Sequence, residues 1–351
     1  MNTPIQEETG RYQRQTLLKE IGAAGQDRLR DAQVLLIGCG ALGCNIAQLL
    51  VRSGVGHLRI VDRDLVDLTN LHRQVLFTEE DATEQVPKAL AAARELARAN
   101  SQVQIEPIVA DVHSGNIQSF AEQTGVFKAQ LILDGTDNAQ TRYLVNDLAV
   151  QRRIPWVYGA CVGVEGRVMA IVPGKTACLR CIYPEPPAPG ELATCDTAGV
   201  LPAAAAVVGA LQASAAMRLL IERAASGQLL SLDVWSLRFA GINIAQSQRD
   251  DCPCCGKREF EFLDRPAVSD AATLCGRNAV QIRPARRVEV NLDQIAARLA
   301  TVGQVQNAGV MLRCKLPENI RLSVFRDGRV IVDGTGDVSL ARSLVARYVG
   351  V

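Results

Sequence analysis

Residues 33 to 74, QVLLIGCGALGCNIAQLLVRSGVGHLRIVDRDLVDLTNLHRQ, constrain this chain more than any other stretch. An apolar run, Val34-Leu35-Leu36-Ile37, predicts a buried strand. Gly38-x-Gly40-x-x-Gly43 follows at once and opens a helical pattern rich in Ala and Leu. A second strand, Leu58 to Val61, ends on Asp62. Strand, glycine turn, helix, then an acid about 20 residues on is the order of a nucleotide-binding βαβ unit. Glycines let the backbone turn tightly and approach a phosphate, the helix N-terminus offers N–H groups and partial positive charge, and the acid accepts hydrogen bonds from a ribose. A tight turn between packed elements needs the same glycines, and the fingerprint names neither the nucleotide nor the reaction.

The sequence beyond continues the alternation. Pro87-Lys88 opens a helix, Val103 to Val109 reads as a third strand, Gln130 to Asp134 as a fourth, Asn138 to Arg152 as a helix and Trp156 to Tyr158 as a short fifth strand. These lengths predict an α/β fold with a doubly wound, Rossmann-like, mostly parallel sheet. In such sheets ligands bind beyond the carboxyl ends of strands. Arg73, in the loop after the second strand, and Lys88, at a helix start, are therefore either phosphate contacts or ordinary surface charges. Asp137 is either the cap of the following helix or a ligand for Mg²⁺ beside a triphosphate. From Gly159 the texture changes, and Gly166 to Val172 predicts a strand of an added antiparallel part. Val200 to Leu211 is apolar but too short to cross a bilayer, and reads as a buried Ala-rich helix with Pro202 in its first turn. Leu229 to Phe239 reads as one polar, strand-like stretch.

Eleven cysteines in a sequence with no secretory signal point to the cytoplasm, where thiols stay reduced and clustered ones serve metals or catalysis. Cys178-x-x-Cys181 and Cys252-x-x-Cys255, about 70 residues apart, can supply four thiolates to one structural Zn²⁺ through two knuckles. Cys254 lacks the knuckle spacing. Cys39 and Cys44 read as small packing residues. Cys195, in a loop before a helix, is either incidental or an exposed thiol of lowered pKa. Thirty-eight Lys and Arg against 37 Asp and Glu leave no global charge to favour nucleic acid or a membrane. A main domain over 1–258 with zinc knuckles, a linker at 259–274 and a small α+β module over 275–351, built round an Asp327-Gly328 hairpin turn, complete the expected organisation.

With these motifs in hand, residues 11 to 256 resemble the ThiF/MoeB/HesA family, relatives of the ubiquitin-activating enzymes. The resemblance rests on Arg11-Tyr-Gln-Arg14-Gln15, the glycine turn, Asp62-x-Asp64, Asn70-Leu-His-Arg73-Gln74, Pro87-Lys88, Asp134-Gly-Thr-Asp137-Asn138, both CxxC pairs and Thr194-Cys195. It implies an enzyme that uses ATP and Mg²⁺ to adenylate the C-terminal glycine carboxylate of a ubiquitin-like sulfur carrier ending in Gly-Gly. It implies that Gly38, Gly40, Ala41, Leu42 and Gly43 line the nucleotide and that Asp62, with Asp64 beside it, holds the ribose. Asn70, Arg73, Gln74 and Lys88 then surround the phosphates, and Asp137, next to Asn138, binds Mg²⁺. Arg14 reaches into the neighbouring site of a homodimer, and Cys195 receives or attacks the activated carrier. A cysteine desulfurase is a further expected partner. The longer tail favours thiamine thiazole synthesis. The alternatives are molybdopterin carrier activation, a relative activating a tRNA base or small molecule, and an NAD-dependent oxidoreductase. The last has only the glycine turn and Asp62 behind it.

Overall fold

The run Val34–Ile37 lies inside the largest of the protein's sheets, with strands on both sides. A computed structural model gives the fold and describes residues 10–187, 195–225, 227–265, 270–273, 278–284, 290–307 and 309–350. The protein divides into two compact units, Met1–Arg265 and Pro266–Val351.

The first unit holds strands β1 (Gln33–Ile37), β2 (His57–Asp62), β3 (Gln104–Val109), β4 (Leu131–Asp134), β5 (Trp156–Val162), β6 (Glu165–Ile171), β7 (Gln228–Asp233) and β8 (Arg238–Asn243). They form one mixed sheet in the order β8-β7-β6-β5-β4-β1-β2-β3. β3, β2, β1, β4 and β5 are parallel, and β6, β7 and β8 continue antiparallel. Successive side chains of a strand point to opposite faces, so a strand covered on both faces is apolar throughout. β1 obeys this rule. Val34 and Leu36 join one core, with helices α1 (Gly22–Arg30), α2 (Ala41–Arg52), α3 (Lys88–Ala99) and α5 (Pro202–Glu222). Leu35 and Ile37 join the other, with α4 (Ala139–Arg152) and the helical turns Leu179–Ile182 and Glu261–Asp264. Leu35, Leu36 and Ile37 are fully buried, and each contributes about 1.5–3 kcal/mol through that burial.

Three local expectations change. β5 runs on to Val162, because it pairs along its whole length with β6. Leu229 to Phe239 is not one strand but most of a hairpin, β7 and β8, turning through Leu237 at φ +55°. α5 has 21 residues, long and apolar enough by length and composition to cross a bilayer, yet it packs on α2, β5 and β6 as a core helix. Pro202 stands in its first turn, as the sequence reading has it.

The second unit is an antiparallel sheet of β9 (Asp270–Thr273), β10 (Ala279–Arg283), β11 (Gln304–Asn307), β12 (Met311–Lys315), β13 (Arg321–Phe325) and β14 (Val330–Asp333), in the order β9-β10-β14-β13-β12-β11. Helices α6 (Leu292–Leu299) and α7 (Val338–Tyr348) share one core with Val280, Leu312, Leu322, Val324, Val330 and Val332. The β13–β14 hairpin turns at Asp327-Gly328, with Gly328 at φ +80°.

Candidate active site

The order of strands reverses at β1. The backbone goes outward through β2 and β3, then crosses back to β4 and β5 on the other side. Connections leaving two neighbouring strands in opposite directions open a crevice at their carboxyl ends. The glycine turn occupies that crevice.

Two of its three glycines serve packing. A Cβ on Gly38, at φ +86°, would lie 2.8 Å from the carbonyl carbon and oxygen of Gly135, beyond the end of β4. A Cβ on Gly43 would lie 2.1 Å from the Gly38 carbonyl oxygen. Gly135 is held in the same way, since its Cβ would fall 2.3 Å from that oxygen and 2.9 Å from Gly43 Cα. The turns after β1 and β4 thus touch backbone to backbone. Gly40 differs: nothing lies nearer than 3.9 Å to its Cβ position, where Gln74 Nε2 and Gly135 O stand. Ala41 and Leu42 follow as the first residues of α2.

Asp62 is buried and braces this turn. The Cys39 amide donates to its Oδ2 at 2.6 Å and the Asp64 amide to its Oδ1 at 2.7 Å. Burial pushes its pKa up, against the pull of Lys88. Each carboxylate oxygen keeps a lone pair for a further donor. Lys88, only 6% exposed, donates from Nζ to Asp64 Oδ2 at 3.0 Å. Burial would lower its pKa, but the charges of Asp64, Asp62 and Asp137 override this and hold it above the ordinary lysine value. Three carboxylates around one ammonium leave a formal excess of two negative charges (three less one).

The loop after β2 completes the rim. Asp67 caps the helical turn Leu68–Asn70. Arg73 is half-buried and donates from Nη1 to Thr69 O at 2.9 Å. Gln74 is 3% exposed, and its Oε1 has no partner among the described residues. Across the crevice Asn138, not Asp137, caps α4, its Oδ1 accepting from the Thr141 amide at 3.1 Å. Asp137 is exposed, so its carboxylate is left for other work.

Glycine turn, Asp62, Asp64, Lys88 and Asp137 therefore meet, with Gln74 against Gly40. Arg14 does not join them. Its helical turn, Gln13–Thr16, is tied by Gln15 to Ser53 O at 3.0 Å, and the neighbouring Tyr12 accepts from Asn100 at 2.7 Å. Ser53 lies past the far end of α2, whose 12 residues span about 18 Å. Cys195 begins the helical turn Cys195–Ala198, which packs near β5. Its side chain, and the whole of Thr194, lie outside the described residues.

Behind the site stand Asp134, which the sequence reading quotes in a motif without a role, and two residues to which it gives none, Arg142 and Gln212. Asp134 is 1% exposed and pairs with Arg142 Nε at 2.9 Å. Gln212, fully buried on α5, donates to Asp134 O at 2.7 Å. An arginine one helical turn after Asn138 was the available signal for Arg142, since i and i+4 share a face. No local signal marks Gln212.

A second centre lies on the α4 face. The sulfurs of Cys178, Cys181, Cys252 and Cys255 all lie within 4.8 Å of one another. Measured pairs are 3.9 Å (178–181), 3.6 Å (178–252) and 3.4 Å (181–255). A tetrahedral ion with bonds of about 2.3 Å would place its sulfurs about 3.8 Å apart, so this donor set fits zinc. Side-chain hydrogen bonds from Cys181, Cys254 and Cys255 hold Cys178 far below the usual thiol range, and Cys178 in turn pushes Cys181 up to about 11. Four sulfurs at this spacing do not all ionise without a cation. Cys254 turns instead to Asn146, which donates to its sulfur at 3.2 Å and accepts from the Leu179 amide at 2.9 Å.

The family model described as "ThiF family" matches residues 12–254. The sulfur carrier protein ThiS adenylyltransferase of Bacillus subtilis is 40% identical over 343 residues, 97% of this chain and 100% of that one. The sulfur carrier protein adenylyltransferase of Thermus thermophilus is 39% identical over 270 residues, 74% of this chain and 96% of the relative. A crystal structure of E. coli MccB with ATP is similar in fold, with a TM-score of 0.60 at 23% identity over 70% of this chain and 74% of that one. On the family match and the near full-length relative together, this chain belongs to the ThiF family.

Proposed function

We propose that this protein is an ATP-dependent adenylyltransferase acting on the C-terminal glycine carboxylate of a ubiquitin-like sulfur carrier ending in Gly-Gly, in thiamine thiazole synthesis. The observation that carries the reading is the buried Lys88 ammonium among Asp62, Asp64 and Asp137, at the mouth of a glycine turn open only at Gly40. The thiamine assignment draws on the match to a ThiS adenylyltransferase over 97% of this chain.

A carrier carboxylate is ionised at pH 7, so the reaction needs no general base. One carboxylate oxygen bonds to the α-phosphorus, the bond from that phosphorus to the bridging oxygen breaks, and pyrophosphate leaves with the electron pair. The transition state is anionic. Lys88 and Arg73 supply fixed positive charge to it, which is most effective where water is excluded. Asn70, the partnerless Oε1 of Gln74 and the helix start at Ala41 and Leu42 orient the nucleotide, and Asp62 takes the ribose hydroxyls. The local excess of negative charge suits a divalent cation, with Asp137 as its free carboxylate. Mg²⁺, when bound, neutralises phosphate charge.

The four cysteines hold a structural Zn²⁺. Arg14, at the far end of α2 from its own crevice, serves the neighbouring site of a homodimer. Cys195 handles the activated carrier after adenylation, with sulfur supplied by a cysteine desulfurase in the cytoplasm. ATP–pyrophosphate exchange tests the core of the proposal. Zinc-loaded, dimeric protein should show exchange stimulated by a ThiS-like carrier. No exchange with any Gly-Gly carrier would overturn it.

A further inference from the structure

The loop between β4 and α4 is tied down on both sides of Asp137. The Asp134 carbonyl accepts from Gln212 Nε2 at 2.7 Å, from the α5 face of the sheet. Gln212 reaches it only because residue 159 has no side chain: a Cβ there would fall 2.2 Å from the Gln212 amide carbon. The Gly135 amide donates to Ile37 O at 2.8 Å. The Asp134 carboxylate accepts from the Thr136 amide at 2.9 Å and the Thr136 hydroxyl at 2.7 Å through Oδ1, and from Arg142 Nε at 2.9 Å through Oδ2. Arg142 Nη2 then donates to Thr136 O at 2.6 Å. The guanidinium lies 5.4 Å from the Tyr158 ring centroid. On the other side Asn138 is tied down as the cap of α4. Between these anchors stands Asp137, exposed and with no hydrogen bond or ion pair among the described residues.

A planar guanidinium that takes a carboxylate through Nε and a carbonyl through Nη2 fixes both the distance and the angle between them. We infer that Arg142, paired with Asp134, is a positioning residue: it holds the 134–136 turn so that the Asp137 carboxylate is presented in one orientation to the cation accompanying the nucleotide. The inference rests on the proposed role of Asp137 as that cation's ligand. It adds a residue that touches neither metal nor nucleotide and yet sets the metal requirement. Because Gly135 packs directly on Gly38 and Gly43, the same clamp fixes the crevice floor against movement of the turn.

The test compares wild type, Arg142→Met and Arg142→Lys as full-length, zinc-loaded protein. Three quantities are read: the Mg²⁺ concentration giving half-maximal ATP–pyrophosphate exchange, the affinity for a fluorescent ATP analogue in excess EDTA, and amide hydrogen exchange at residues 136–139. Loss of a direct outer partner of a metal ligand typically weakens metal affinity about 10- to 100-fold; Arg142 acts one step further out, through Asp134 and Thr136, so Arg142→Met should raise the Mg²⁺ midpoint by about tenfold, the lower end of that range. Metal-free nucleotide affinity should stay within about twofold, and the Thr136 amide, bonded to Asp134, should exchange faster. Arg142→Lys keeps the ion pair with Asp134 but loses the bond to Thr136 O, and should fall between. An unchanged Mg²⁺ midpoint, with exchange lost only in proportion to unfolded protein, would overturn the positioning role. If wild type shows no exchange, the adenylation reading fails instead, and the amides still judge the clamp: unchanged protection in Arg142→Met would refute it.

Discussion

Gly135→Ala tests the contact that makes the site. The added methyl would stand 2.3 Å from the Gly38 carbonyl oxygen and 2.9 Å from Gly43 Cα. Ordinary contact begins near 3.4 Å, so the two turns must separate by about 1 Å. Both obstructing atoms belong to the backbone and cannot rotate away, which puts the cost at the upper end of the usual range for overpacking, about 3 kcal/mol. For a unit of the size of Met1–Arg265 an unfolding entropy of about 2.1 cal/mol/K per residue makes 1 kcal/mol worth roughly 2 °C in melting temperature, so the expected fall is about 5–6 °C, read by calorimetry. A 1 Å displacement of positioning groups costs about 100-fold in rate, so pyrophosphate exchange should drop by that order in the protein still folded at 25 °C. Gly10→Ala, where nothing among the described residues lies within 4 Å, is the control and should stay within about 0.5 kcal/mol. A Gly135→Ala protein with wild-type melting and exchange would refute the backbone contact. One that melts early but exchanges normally would show that the strain escapes away from the crevice.

Three other outcomes follow from the same geometry. Lys88→Met removes the buried ammonium beside Asp62, Asp64 and Asp137; exchange should fall about 10²- to 10³-fold, with far-UV circular dichroism unchanged. Metal analysis of purified variants should find one zinc per protomer in wild type and Cys254→Ser but almost none in Cys181→Ser, whose unfolding would reflect loss of a site worth about 10–16 kcal/mol in small peptides. Burial pushes Tyr158 and Tyr143 each up to about 12. Their unfolded value is about 10, so above that pH the unfolded state gives up protons that the native state keeps, and stability should fall between about pH 10 and 12. Tyrosinate absorbance from these two rings should appear with unfolding rather than before it.

The sequence made the first βαβ unit legible because its constraints are local: an apolar run, glycines and an acid in fixed order. The cysteine tetrad was legible for the same reason, through knuckle spacing. The β7–β8 hairpin was hidden because its turn, Val234-Trp235-Ser236-Leu237, has no glycine or asparagine, and Leu237 takes the positive φ instead. β11, Gln304–Asn307, is a short polar edge strand whose only signal is pairing with β12. Gln212 looks like one polar residue in an alanine-rich helix, and its partner lies 78 positions away. Asp137 and Asn138 are both good caps by composition, so tertiary contacts decide between them. The resemblance places all three motif glycines at the nucleotide and their spacing leaves tight packing equally open, whereas the packed structure separates Gly40 from Gly38 and Gly43.

Asn146 joins the two centres. It sits on α4 one turn after Arg142, holding the Leu179 amide of one knuckle and the sulfur of Cys254 beside the other. The helix that carries the clamp is thus anchored at its middle to the cysteine cluster. Any bias that occupancy of the cluster puts on α4 would link it to occupancy of the crevice, and linkage is reciprocal. If metal on the four sulfurs steadies α4 and so favours nucleotide, bound nucleotide must favour that metal by the same factor. Chelator-driven loss of zinc should therefore need more chelator at equilibrium when ATP is present.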